Sequence, residues 1–276
     1  MRSPFWHAEL TLGFTRRGGR TLLSECRHVG PLRVQKALYP EDDAVCHAVI
    51  VHPPAGIAGG DQLAVNLQIS EANATLRAHA LITSPGAAKW YRSGGNAARQ
   101  TINLRVEGRG QLEWLPQESI VFDGAEAQLH TVVNLDADAI ACGWDILCLG
   151  RTLAGERFLS GELRQHTEIR RAGRLLWRER AVLAGGSPLL DSPAGMQGKP
   201  VLGTFWLAAP EWHDDWLPIL REAAPGAAIT KLPGVLLARC LGDSAIVVRE
   251  NLTAVWQALR PLVLEQPAMT PRIWQT

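Results

Sequence analysis

Residues 52–69 read HPPAGIAGGDQLAVNLQI, a run rich in glycine and proline that ends in one carboxylate and passes directly into strict alternation at Leu63, Val65, Leu67 and Ile69. Apolar side chains at period two put one face of a strand against a core and the other in water. The loop before it is costly to order. Gly56, Gly59 and Gly60 can take positive φ or let backbone approach a neighbour closely, while Pro53 and Pro54 stiffen the approach. Asp61 stands at the junction of loop and strand, where its plainest use is to bond its own backbone.

The alternation extends in both directions. From residue 7 to about residue 110 it recurs, as in Ala74, Leu76, Ala78, Ala80 and Ile82 or Ile102, Leu104 and Val106, and predicts half-buried antiparallel strands. Arg17-Gly18-Gly19, Ser93-Gly94-Gly95-Asn96, Glu107-Gly108-Arg109-Gly110 and Arg171-Ala172-Gly173 carry hairpin-turn chemistry. Helical signals come late. Glu211 to Ala224 holds Trp212, Trp216, Leu217, Ile219 and Leu220 before the stop at Pro225-Gly226. Asn251 is placed to cap a second helix, with Leu252, Val255, Trp256, Leu259 and Leu262 at helical spacing. Gly234 to Val248 has strand character, and Gly185 to Pro200 reads as a mobile loop. No linker or repeat divides the 276 residues, so a single domain over 1–276 is expected.

Composition excludes several classes of partner. Twenty-eight basic and 27 acidic residues are mixed along the chain, leaving a net charge of +1 and no electrostatic footprint for nucleic acid. Arg16-Arg17 and Arg170-Arg171 read as solvated faces. Five cysteines without a CxxC pair, and no secretory signal in MRSPFWHAEL, point to a reduced, cytoplasmic protein. The weakly polar stretch Ala139 to Gly150 is too short to span a bilayer and carries Asp145 in its middle. Ten tryptophans belong in the core or at contact surfaces.

Motifs for common chemistries are missing. Ser84 sits in Thr83-Ser84-Pro85-Gly86, without GxSxG and with a proline in place of the N–H that an oxyanion hole would use. The 52–61 loop lacks GK[ST] and leads to a strand instead of a helix. No HExxH or zinc-finger spacing organises the eight histidines. Asp61, Glu118 and Asp123 all lie beside turns or strand ends, where carboxylates can face a shared cavity and hold a divalent transition ion loosely. Lys89, Tyr91 and Arg92 form a polar cluster able to orient a carboxylate, or an ordinary surface group.

The stretches GPLRVQKALYPE at 30–41, HPPAGIAGGD at 52–61, TSPGAAKWYRS at 83–93, LPQESIVFDGA at 115–125, GRTLAGERF at 150–158 and the C-terminal PRIWQT, taken in that order, resemble the urease accessory protein family UreD, also called UreH. The resemblance implies a protein without enzymatic activity, a scaffold that with UreF, and through UreF the GTPase UreG, docks on apo-urease and helps deliver nickel through an internal passage. It implies a mainly β fold, an elongated, β-helix-like array of stacked sheets with two α-helices in the C-terminal half. No cofactor is implied to be tightly bound, only transient Ni(II). Carried over by the resemblance, Asp61, Glu118 and Asp123 are nickel-passage residues, with Ser84, Lys89 and Tyr91 as their support. Trp256 and Trp274 are expected on the surface facing UreF. The competing expectation is a β-rich hydrolase or carbohydrate-binding protein with a polar site around Ser84, Lys89 and Tyr91.

Overall fold

A computed structural model describes residues 5–70 and 77–275. Ala74 and Leu76, part of the predicted alternation, lie outside the described residues, as does Thr276. β1 (His7–Arg17) and β2 (Arg20–Val29) form a hairpin, and β3 (Arg33–Leu38) pairs antiparallel with β4 (Val45–Val51). From β4 the chain winds in coils. The first coil continues through β5 (Gly56–Ile57) and β6 (Gln62–Ser70). The second holds β7 (His79–Thr83), β8 (Ala88–Trp90) and β9 (Ala98–Val106), and the third β10 (Gln111–Leu115), β11 (Ser119–Val121) and β12 (Glu126–Leu135). The last passes from β13 (Ile140–Leu149) to β14 (Glu162–Arg171), which turns back into β15 (Arg174–Ala184).

Each coil gives one strand to each of two facing sheets. One sheet has the order β15-β14-β12-β9-β6-β1-β2, and the other contains β4, β7, β10 and β13 side by side. The short strands β5, β8 and β11 stack on a third side. Neighbours from successive coils are parallel throughout, as in β6 with β9 and β9 with β12. The expected antiparallel pairing therefore holds only at the margins. Ser93–Asn96 and Glu107–Gly110 carry the chain from one sheet to the other and are not hairpins, whereas the turns at 17–19 and 171–173 are.

Alternation does the expected work within this arrangement. Leu63, Val65, Leu67 and Ile69 are all buried between the sheets, together with Leu10, Leu12, Phe14, Ile102 and Leu104. Their neighbours on the other face form polar ladders: Asn103 Nδ2 donates to Asn66 Oδ1 at 2.8 Å, and Asn66 Nδ2 to Glu9 Oε1 at 3.1 Å. A one-residue slip of β6 would exchange the two faces, which fixes its register.

The C-terminal part extends the second sheet and covers its outer face. After a single helical turn, α1 (Pro188–Asp191), β16 (Val201–Ala208) pairs antiparallel with β13, and β17 (Ala228–Leu232) and β18 (Val235–Gly242) follow. α1 lies within Gly185–Pro200, where Met196 is buried in the core. α2 (Trp216–Ala223) and α3 (Ala245–Val263) are the two expected helices. Pro218 is tolerated because it falls in the first turn, where backbone N–H groups have no helical partner. α3 starts earlier than Asn251. Ser244 is its N-cap, extended in backbone, with its hydroxyl accepting from the N–H groups of Ile246 and Val247. Asn251 lies inside the helix and donates to the Val247 carbonyl.

α3 builds a second core on the outer face. Leu252, Val255, Trp256 and Leu259 pack on Trp144, Phe205 and Ala238 of the sheet. The tryptophan expectation is met at Trp90, Trp114, Trp144, Trp206, Trp216 and Trp256, all buried. Two arginines read as solvated have structural partners. Arg16 donates to the Ala44 carbonyl, and Arg171 to the carbonyls of Asp136, Ala137 and Ala139.

Candidate functional site

The two sheets do not close completely on one another. A cavity of about 210 Å³ remains between them. Leu63 and Val65 of β6, Gln100 and Ile102 of β9, and Leu129 and Thr131 of β12 form one wall. Ile82, Trp114, Asp145 and Leu147 form the opposite wall, and the 84–88 and 116–117 connections with Ser119 bound one end. The lining is mostly apolar with a few polar groups, the composition of a binding cavity.

Asp145 is the ionisable residue that stands out there. It entered the sequence argument only as a reason against a membrane span, yet β13 turns it inward. Gln165 Nε2 donates to its Oδ2 at 3.1 Å. Burial pushes its carboxyl up to about 6, Glu179 adds to the rise, and the Gln165 bond opposes it. The signal in the sequence was a lone acid inside the apolar run ACGWDILCL.

The expected site residues divide. Ser84 lines the cavity; its Oγ donates to the Gly86 carbonyl at 3.3 Å and accepts from the Gln117 N–H at 2.9 Å. It ties two connections at the cavity end, and among the described residues its hydroxyl bonds only the Gly86 carbonyl and the Gln117 N–H, without a general base. Asp61 takes its plainest role. Its Oδ2 accepts from the Ala58 N–H at 2.8 Å and its Oδ1 from the Trp6 N–H at 2.9 Å. It knots the turn, with Gly60 at φ 94°, and anchors the approach to β1.

Asp123 is tied elsewhere. Burial works against its charge, but the N–H groups of Leu159 and Ser160 and the Ser160 hydroxyl overcome this and hold its carboxyl below the usual range, with Arg92 at 2.8 Å. Glu118 turns its carboxylate towards Arg249 of α3, at 3.3 Å. Lys89 and Tyr91 thus hold none of the three carboxylates. Tyr91 packs edge-on against Phe122, with centroids 5.2 Å apart, and lies over Gly56, where a Cβ would come within 2.0 Å of its ring. Among the described residues no three histidine, cysteine, aspartate or glutamate side chains gather as a metal-holding group. Asp61, Glu118 and Asp123 are consequently three separate sites.

The two tryptophans expected to face a partner point inward. Trp256 is 1% exposed, and its Nε1 donates to Glu113 Oε2. Trp274 is half-buried between the rings of Trp144 and Trp256, with Nε1 donating to Thr83 Oγ1 at 2.7 Å. The reason is a buried polar network that spacing did not reveal. Glu113 takes bonds from His79 at 2.7 Å and from Arg260 at 3.1 Å, and Arg260 also pairs with Glu41, which bonds His47 at 2.6 Å. Burial would raise the Glu113 carboxyl, but His79 and Arg260 overcome it and bring it to about 2. Arg260 interrupting the apolar stripe of α3 was the available sign of this network.

Comparison with known proteins places these features in one family. The family model described as UreD urease accessory protein matches residues 7–275. The chain is 50% identical to a urease accessory protein UreD of Dechloromonas aromatica over 281 residues, covering 99% of this chain and 96% of the relative. It is 50% identical to one of Pseudomonas aeruginosa over 277 residues and 48% identical to one of Pseudomonas savastanoi over 278, each covering 99% of this chain and 96% of the relative. With its β-helical core, late helices and six motifs in order, the chain belongs to the UreD family of urease accessory proteins.

Proposed function

We propose that this protein is a non-enzymatic scaffold that, with UreF and through it the GTPase UreG, binds apo-urease in the cytoplasm and conducts nickel towards its active site. Family membership supports a role in urease maturation; the nickel route rests on the cavity between the sheets. Among the described residues no helix is long and apolar enough to cross a membrane.

The observation that carries this reading is the placement of Asp145 in an otherwise largely apolar cavity. A single carboxylate, in a cavity whose other polar lining is the His52 imidazole and neutral amides and hydroxyls such as Gln100, Gln117 and Thr131, is a weak site for Ni(II) compared with a cage of several imidazoles or thiolates. Weak, hydrated coordination lets an ion move on. A carboxyl poised near 6 also gains charge near neutral pH, where a cation would need it. Asp61 and Asp123 act on this route indirectly, by shaping the connections around it.

The test is reconstitution. This chain, UreF, UreG and apo-urease would be combined with Ni(II), and nickel per urease active site measured. Leu129→Trp, which fills the cavity, and Asp145→Ala should leave UreF binding intact and lower urease nickel severalfold. Full metallation by both variants would sink the route.

A further inference from the structure

The two sheets differ in what lies outside them. α2 and α3 pack on β13, β16, β17 and β18 of the second sheet, and neither forms a layer on the first. Parallel strands are found mostly with both faces covered, and β6, β9, β12 and β14 are parallel. Alternation sets the outward side chains of β9, β12, β14 and β15 in rows across the strands. In register, Arg99 of β9 leads through Gln128 to Arg164 of β14. In the next row His130 and His166, stacked with centroids 4.7 Å apart, lead to Arg180 of β15, and Glu168 and Arg178 follow in the row after.

Charge on this face is unbalanced at its centre. Arg170 and Arg178 each bond Glu168 at 2.8 Å, so that one carboxylate answers two guanidinium groups. Arg99 donates to the neutral Gln128 oxygen at 2.8 Å, and Arg180 is exposed without an ion pair among the described residues. The remaining acids lie towards the ends. Glu162 pairs with Arg164 beside Glu126 at one end, and Asp136 with Arg105 at the other. The centre is thus positive in a chain whose net charge is only +1. A guanidinium fork matches a carboxylate in two parallel bonds, and exposed arginines are frequent anchors of protein interfaces.

We propose that this face, from Arg99 across His130 and His166 to Arg180, is where the protein docks an acidic surface of apo-urease. This rests on the reading of the protein as a scaffold that binds apo-urease. Nucleic acid is the poorer fit, because a duplex is held by a long run of phosphate contacts, and Glu162 and Asp136 interrupt such a run at both ends of the face.

Binding of the full-length chain, in complex with UreF, to immobilised apo-urease tests the face. Arg99 and Arg180 have no carboxylate partner, so R99E/R180E should fold as the parent does. It should bind apo-urease about tenfold or more weakly at low ionic strength, and lose much of the salt dependence that the parent shows. R99A/R180A, expected to lose less, serves if the new glutamates disturb the sheet. Co-purification with UreF should be unchanged. Parental affinity for apo-urease in both folded variants overturns the face and leaves the scaffold reading standing, whereas a parent that fails to bind apo-urease removes the two together. Loss of UreF in place of urease, or retention of a DNA duplex by the parent and not by the variants, would assign the face to another partner and overturn the proposal.

Discussion

Arg260 on α3 and Glu113 on β10 are joined at 3.1 Å although their side chains are completely buried and 147 residues apart in sequence. Their pairing fastens the C-terminal helix to the β-helical core. Taking two charges out of water is expensive, and only the added bonds from His79, Trp256 and Glu41 make the arrangement tenable.

Removing one partner should therefore cost more than removing both. Arg260→Met is expected to destabilise the fold by about 3–5 kcal/mol in urea unfolding, because Glu113 is left charged and buried. The double variant R260M/E113Q should recover a measurable part of that loss. Equal stability of the two would show that the pair carries no special burden.

The same carboxylate sets an acid limit. Glu113 is lowered from 4.5 to about 2, so its contribution is fully present above the unfolded value and is lost as pH falls from about 4.5 towards 2. Unfolding midpoints measured over that window should fall less steeply in R260M/E113Q than in the parent.

Asp145 behaves in the opposite sense. Its folded value of about 6 lies above the ordinary aspartate value of 3.8, so the folded state holds the proton more tightly, and ionisation costs stability as pH rises from about 4 to 6. Asp145→Asn, which can still accept from Gln165, should stabilise the protein on the order of 2 kcal/mol at pH 8 and scarcely at pH 3.5. Thermal unfolding at the two pH values decides this; an equal effect at both would remove Asp145 as the titrating group.

Trp256 offers a way to separate folding from partner binding. Trp256→Phe keeps an aromatic ring but removes one of the two donors to Glu113 Oε2, leaving that from Arg260 Nε, and should cost about 1–3 kcal/mol. Co-purification with UreF, measured at a temperature where the variant remains folded, should be unchanged. A loss of UreF by a folded variant would restore Trp256 as a contact residue.

Gly56 is required by its neighbour. Gly56→Ala would drive a methyl group into the Tyr91 ring, displacing it from β5 and costing about 1–3 kcal/mol. Combining it with Tyr91→Ala should cost less than the two single losses added together, which urea unfolding of the three variants would show.

How much of this was legible follows from the range of each interaction. The alternation at Leu63, Val65, Leu67 and Ile69 is a local consequence of the strand's period and named a buried face without reference to anything else. Direction of pairing was not local. β6 pairs with β9 across a whole coil, and the same alternation suits parallel and antiparallel neighbours, so glycine turns such as Ser93–Asn96 were read as hairpins. Ser244 and Asn251 both have side chains that can cap, and only packing of α3 on β16 and β18 determined which one begins the helix.

The site shows the same division. Ser84 and its neighbours were marked by motif, and the structure puts them at the cavity end. Asp145 was visible only as an acid in an apolar run, because its environment is made by β14 and β15 from the opposite sheet. By itself the sequence determined strands with one buried face, two late helices and membership of a family, since periodicity, caps and motif order are properties of the chain. Tertiary structure alone decided that the coils stack in parallel, that Trp256 and Arg260 turn inward, and that Arg249 sits over Glu118. Those outcomes depend on burial and charge pairing between residues far apart in the chain, which no local pattern records.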